Sequence, residues 1–239
     1  MSPDHRLGAL YLIPTPLGDT PAAAVLSSEA IGTVRMLDYF VAENPKTTRA
    51  FLKKTGSARP MQSILIERLD HNTPAAALEE MLAPLLAGRD AGLVSEAGCP
   101  GVADPGGSLV RLAHQREIKI VPLSGPSSIM LALMGSGLNG QQFAFHGYLP
   151  VEEKALCKAL LALEQESQRK SQTQIFIETP YRNERTLKLS LRTLHNPTWL
   201  CIAADLTLPT EEIHTRRVRD WNNKPLLKDR PCVFLFLAG

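Results

Sequence analysis

Ala91 to Ser95 is a run of small apolar residues with the pattern of a buried strand. It breaks into Glu96-Ala97-Gly98-Cys99-Pro100-Gly101-Val102-Ala103-Asp104-Pro105-Gly106 before a helical run opens at Gly107-Ser108-Leu109-Val110. A strand, a Gly/Pro-rich loop and a helix start in that order let backbone N–H groups face a ligand. Glu96 adds one negative charge at the carboxyl end of the strand, where open α/β sheets bind their ligands. An ordinary strand-to-helix connection takes about two to six residues, and this one spends about eleven. That excess argues for a binding role over a plain turn. Cys99, Cys157, Cys201 and Cys232 lie far apart, with no Cys-x-x-Cys pair and no His at metal spacing. They read as small core or loop residues in a reducing compartment, with neither disulfides nor a metal site expected.

The elements that must position this loop alternate between strand and helix. Strands are expected over 9–13, 36–42, 63–66, 91–95 and 118–122. Between them, Thr20 caps a helix with Pro21 in its first turn, running to about Ile31, and a short helix follows Glu43 to Arg49 and ends at Lys54. Thr73 caps a third helix over 75–87, and a fourth covers 108–116. This order predicts a mostly parallel five-stranded sheet over residues 1–122, with every strand ending in polar or Gly/Pro residues on one edge. Leu123-Ser124-Gly125-Pro126 reads as a hinge. Beyond it, helices are expected over 127–134, 152–165 and 183–194 and strands over 143–148, 173–177, 200–204 and 231–237, with 212–218 alternating as an antiparallel strand and 165–174 a surface loop. The fold class is therefore α/β, with two α/β lobes over 1–122 and 123–239, the second with a mixed sheet.

With 239 residues, 44% apolar and 21% charged, the chain is an ordinary globular one, and no apolar segment approaches the roughly 20 residues that cross a bilayer. The start of the chain, with Asp4 and no long apolar run, does not read as a signal peptide, so a cytoplasmic location with no membrane partner is expected. Aromatics at 5% argue against a surface of stacking platforms, and a net charge of +2 announces no nucleic acid by itself. Residues 1–115 carry 10 Lys and Arg against 12 Asp and Glu, while residues 116–239 carry 16 against 12, a mild asymmetry.

Four motifs occur in order: Pro14-Thr15-Pro16-Leu17-Gly18; Val94-Ser95-Glu96-Ala97-Gly98-Cys99-Pro100 with Asp104-Pro105-Gly106; Val121-Pro122-Leu123-Ser124-Gly125-Pro126; and Gly147-Tyr148-Leu149-Pro150. This ordered set resembles the tetrapyrrole (corrin/porphyrin) methylase superfamily, in particular the branch that methylates a cytidine ribose 2′-hydroxyl in small-subunit ribosomal RNA. The resemblance implies a homodimer with an active-site cleft between two lobes and S-adenosylmethionine as cofactor, held without a Gly-x-Gly-x-x-Gly loop. On the family pattern the cofactor contacts fall on Leu17, Glu96, Cys99, Ser127 and Ser128, and in the second lobe on Ile177 and Leu206. Several positions depart from the pattern. Glu96 stands where the family usually has Asp, and Asn44-Pro45-Lys46 replaces Asp-Thr-Arg. Leu69-Asp70-His71-Asn72 keeps only the second half of His-x-His-Asn, and Lys228-Asp229-Arg230-Pro231 replaces Lys-Gly-Glu.

Methyl transfer from a sulfonium asks the protein mainly to align donor and acceptor, worth up to roughly 7–11 kcal/mol of barrier. A hydroxyl acceptor must also lose its proton, and the strand-end candidates for a base are Glu43, His71 and Glu178. Glu178 and Arg182 match the family's Glu-x-x-x-Arg and read equally as a structural ion pair. On the substrate side stand Asn72, Arg182, Lys46 and Arg49; the two cations could meet phosphate or form a solvated helix start that opposes the helix dipole. Arg216, Arg217 and Arg219 read as a solvated strand edge. The expected function is S-adenosylmethionine-dependent methylation of an RNA ribose. Methylation of a small tetrapyrrole-like molecule or a protein side chain stands beside it, as does a cofactor-binding regulatory module without turnover.

Overall fold

The computed structural model describes residues 6–239; the expectation drawn from Asp4 lies outside them. The chain divides into two compact units, the first ending at Ser127 and the second spanning Ser128–Gly239.

The first unit is built on five strands with helices packed on both faces. β1 is Ala9–Ile13. It is followed by α1 (Ala22–Val25), α2 (Ser28–Met36) and β2 (Tyr39–Ala42). α3 is Pro45–Thr55, β3 Leu65–Arg68, α4 Ala75–Leu86, β4 Ala91–Val94, α5 Gly107–Gln115 and β5 Lys119–Pro122. The order across the sheet is β3-β2-β4-β1-β5, with every pairing parallel, so all five carboxyl ends share one edge. Alternation along the strands separates two cores. Leu10, Tyr39, Val41 and Leu93 pack with Leu82 of α4 and Leu109 of α5, while Ile13, Phe40, Ala42 and Val94 pack with Val34 of α2 and Leu52 of α3.

The single helix expected from Thr20 to Ile31 is two: the chain turns extended at Leu26, and Ser27 starts α2 by accepting a hydrogen bond from the Ala30 N–H at 3.1 Å. α2 therefore takes in Met36, which had been placed in a strand. Thr73 caps no helix, because its hydroxyl serves the preceding turn instead, accepting from the Asp70 N–H at 2.8 Å.

The second unit opens with α6 (Ser128–Ser136) and β6 (Phe143–Tyr148). α7 (Glu153–Lys170), β7 (Thr173–Glu178), α8 (Asn183–Thr193), β8 (Trp199–Ala204), β9 (Glu212–Arg217) and β10 (Cys232–Leu237) follow. The sheet order is β6-β7-β10-β8-β9; β6 and β7 are parallel and the other pairs antiparallel, the mixed sheet that was expected. Its core joins Leu156 and Leu160 of α7 and Leu187 of α8 to Phe176, Leu200, Ile202 and Phe234 of the sheet. Of the loop expected over 165–174, residues up to Lys170 are the last turns of α7, with Ser167 turned inward, and Thr173 and Gln174 are buried at the start of β7.

Candidate functional site

At the shared carboxyl edge of the first sheet, three loops are tied together by backbone groups. The β1 loop and the β4 loop form an antiparallel bridge, Thr15 N–H to Gly98 O at 2.9 Å and Gly98 N–H to Thr15 O at 3.1 Å. The Thr15 hydroxyl adds a bond to Ser95 O at 3.3 Å. The segment after β5, read from sequence as a hinge, is fastened to the same edge: Leu123 N–H donates to Leu12 O at 3.0 Å, and the Cys99 thiol approaches Pro126 O at 3.5 Å. Gly98 makes the bridge possible. Its φ of +77° is left-handed, and a Cβ there would stand 3.3 Å from Leu17 Cδ2.

Beneath this bridge lies a cavity of about 170 Å³ whose lining includes Thr15, Pro16, Phe51, Val94, Ser95 and Glu96. Glu96 sits at its edge, exposed to solvent, and is held rather than free. Asn44 Nδ2 donates to its Oε1 at 3.0 Å and the Thr47 hydroxyl to the same oxygen at 3.3 Å, so Oε2 is left for a ligand. Asn44 does two jobs: its side-chain Oδ1 caps α3 by accepting from the Lys46 N–H at 3.0 Å. Leu17, Glu96 and Cys99 are thus brought together. Burial, with the charge of Asp104 behind it, pushes the Cys99 thiol up, which keeps the sulfur neutral and suits a wall rather than a nucleophile.

A second, more polar cavity of about 290 Å³ has His71, Thr73, Asp104 and the Gly106–Leu109 start of α5 in its lining. Burial first, and then the neighbouring Glu43 carboxylate, raise the Asp104 carboxyl to about 6. Glu43 and His71, both expected as proton acceptors, therefore gather electrostatically around a third group, Asp104. Asn72 is exposed in the turn between, its N–H bound to Asp70 Oδ1 at 2.9 Å. Lys46 and Arg49 are exposed on α3, and half-buried Ser127 is the last residue of the unit.

In the second unit, Ser128 begins α6, Ile177 pairs with Val233 in the sheet, and Leu206 is buried just after β8. Glu178 is 8% exposed at the end of β7. Its Oε1 accepts from Thr179 N–H, Arg182 Nε at 2.9 Å and Arg182 Nη2 at 2.6 Å, and its Oε2 from the Thr186 hydroxyl. A carboxylate so fully occupied closes a strand end as an ion pair. Arg216 and Arg217 lie on β9, an edge strand as expected, with guanidinium groups over the rings of Trp221 and Trp199.

Sequence reading missed Asn44, Thr47 and Asp104. Asn44 before Pro45 carried a helix-start signal, and Asp104 stood in the Asp104-Pro105-Gly106 motif, but neither signal says what the side chain touches.

Comparison with known proteins agrees with this architecture. The family described as Tetrapyrrole (Corrin/Porphyrin) Methylases matches residues 9–221. A ribosomal RNA small subunit methyltransferase I from Escherichia coli O157:H7 is 34% identical over 213 residues, covering 89% of this chain and 70% of that protein. Proteins of the same name from Synechocystis and Pasteurella multocida are 32% and 30% identical, over 84% and 99% of this chain and 68% and 81% of their own lengths. The crystal structure of the methyltransferase CobJ superposes with a TM-score of 0.63 over 97% of this chain and 95% of that one, at 17% identity, a likeness of fold. The chain belongs to the tetrapyrrole methylases and is an S-adenosylmethionine-dependent methyltransferase.

Proposed function

We propose that this protein transfers a methyl group from S-adenosylmethionine to a ribose 2′-hydroxyl of small-subunit ribosomal RNA. The observation that carries the reading is Glu96, fixed by Asn44 and Thr47 at the edge of a cavity that Thr15 of the Thr15–Gly98 bridge also lines. The relatives named above, at 30–34% identity, support the choice of RNA as acceptor.

The residues present suit the cofactor. Glu96 Oε2 offers an acceptor for hydroxyl donors or a counter-charge for a cation, and Pro16, Phe51 and Val94 offer an apolar wall. Leu17, Cys99 and Ser127 stand on the loops tied to the same edge, and Ser128, Ile177 and Leu206 are the candidate contacts of the second unit. When bound, the cofactor supplies a methyl group already activated on a sulfonium. In the transfer, the carbon–sulfur bond breaks as the carbon–oxygen bond forms, and the hydroxyl proton leaves to a base. Asp104, whose carboxyl is raised to about 6, joins Glu43 and His71 as a candidate to accept that proton. Asn72 and Arg182 are candidate substrate contacts.

The test is transfer of tritium from labelled S-adenosylmethionine to undermethylated small ribosomal subunits, followed by alkaline digestion of the RNA. A 2′-O-methyl group removes the hydroxyl that cleaves the adjacent phosphodiester, so label is expected in alkali-resistant dinucleotides. Label in mononucleotides, in protein or in small molecules overturns the reading.

A further inference from the structure

α3 carries four basic residues, Lys46, Arg49, Lys53 and Lys54, and no acidic one. With about 100° between successive residues, Lys46, Arg49 and Lys53 project within about 60° of one another over roughly 10 Å of axis. All three are exposed, and among the described residues none has an ion pair or a side-chain hydrogen bond. Most other cations of the unit are neutralised. Lys54 pairs with Asp19 at 2.7 Å, Arg89 with Asp38 at 2.8 Å and Arg68 with Asp70 at 3.4 Å. The stripe also works against its own helix, because Lys46 lies in the first turn, where the dipole favours anions and no acid is present. An external anion offsets that cost.

The other faces of α3 are already assigned. Thr48, Phe51, Leu52 and Thr55 are buried, and Thr47, Ala50, Phe51 and Lys54 line the Glu96 cavity. The cationic stripe is the remaining face. It starts at Lys46, next to Thr47 and two residues from Asn44, whose side chains hold Glu96.

We propose that the outer face of α3 is a track for the sugar–phosphate backbone of single-stranded RNA, with Lys46, Arg49 and Lys53 each meeting a phosphate. The track rests on the reading of RNA as methyl acceptor. It adds Lys53 to the two cations singled out by sequence and fixes the direction in which the strand runs from the pocket. Single-stranded RNA fits because a ribose hydroxyl of a splayed-out nucleotide must reach the cofactor, and its flexible backbone can follow a helix face.

The experiment measures binding of a fluorescein-labelled, mixed-sequence 20-nucleotide single-stranded RNA by anisotropy from 25 to 300 mM salt. The wild-type protein is compared with a triple variant, Lys46→Gln, Arg49→Gln and Lys53→Gln, and with a control, Lys119→Gln, Lys158→Gln and Lys188→Gln. Glutamine keeps the helix propensity of the three α3 positions. For single strands each lost phosphate contact removes about 0.7 from the log–log salt slope, so the triple variant is expected to flatten it by about 2. Affinity near 100 mM salt should fall at least about tenfold, with S-adenosylmethionine affinity by calorimetry unchanged. The control should keep most of the wild-type slope. Equal slopes for wild type and triple variant, or an equal loss in the control, overturn the track while leaving the RNA reading intact. Absence of RNA binding by the wild type overturns both.

Discussion

Glu96 is an exposed carboxylate whose position is nevertheless fixed by two donors on one of its oxygens. A charged hydrogen bond to a ligand contributes about 1.5–3 kcal/mol, so Glu96→Gln should weaken S-adenosylmethionine binding by roughly 10–100-fold in calorimetry. At an exposed position it should leave the melting temperature nearly unchanged. Asp104 behaves differently. Its carboxyl lies at about 6 in the folded protein against 3.8 for the free group, so between those values the folded state holds more proton than the unfolded one. Stability therefore rises as pH falls through that window, and above about pH 6 the ionised side chain is a cost. Asp104→Asn removes it: the variant should melt higher than wild type at pH 7.5, by about 1 kcal/mol after allowing for partial exposure, and match it near pH 4. Thermal denaturation across that range checks the sign, and methyl transfer by the same variant should fall. At this scale the sequence was partly readable. An acid at the end of a buried strand is visible in one dimension, whereas the contacts of Glu96 with Asn44 and Thr47 join positions about fifty residues apart. The environment of Asp104 is set first by burial and then by Glu43, which sits on a different strand end.

The loops and helices carry their own tests. Gly98→Ala places a Cβ against Leu17 at a left-handed φ and strains the bridge to Thr15. About 1–2 kcal/mol of stability should be lost, with a larger proportional loss of cofactor binding than of melting temperature, measured side by side. In α7, buried Glu164 accepts from the His195 N–H at 2.9 Å, His195 Nδ1 at 2.7 Å and the Thr198 hydroxyl, tying the helix to the turn before β8. Glu164→Ala strands these donors and should cost about 2–4 kcal/mol, seen as a melting drop of several degrees, with cofactor affinity of the surviving folded protein intact. Ser167 shows why the length of α7, expected to end at Gln165, escaped the sequence reading. The last turns of α7 look polar, yet Ser167 is buried, its hydroxyl donating to Gln172 O and accepting from the Ala238 N–H at 2.9 Å, a partner far along the chain. The break between α1 and α2 escaped for another reason: the hydroxyl of Ser27 captures a helix start that hydrophobic periodicity alone runs straight through.

At the scale of the whole molecule, parallel pairing in one sheet and mixed pairing in the other follow from what separates the strands. Helical crossovers between the first five allow only parallel neighbours, and the short path from β8 to β9 allows an antiparallel return. What the sequence does not display is strand order. β10, the last strand, lies between β7 and β8, with Phe234 stacked on Phe176 at 5.1 Å between ring centroids. Phe234→Ala should cost about 3–5 kcal/mol, and chemical denaturation should show the loss. The central place of β10 also bears on synthesis. While the ribosome is still making residues 205–231, the apolar strands Thr173–Glu178 and Trp199–Ala204 have no partner between them, and neither can complete its ladder until β10 has cleared the exit tunnel. The first unit has its full sheet once Pro122 is made, but the second must wait with sticky strands exposed. Chaperone dependence during translation is thus expected to concentrate in the second unit.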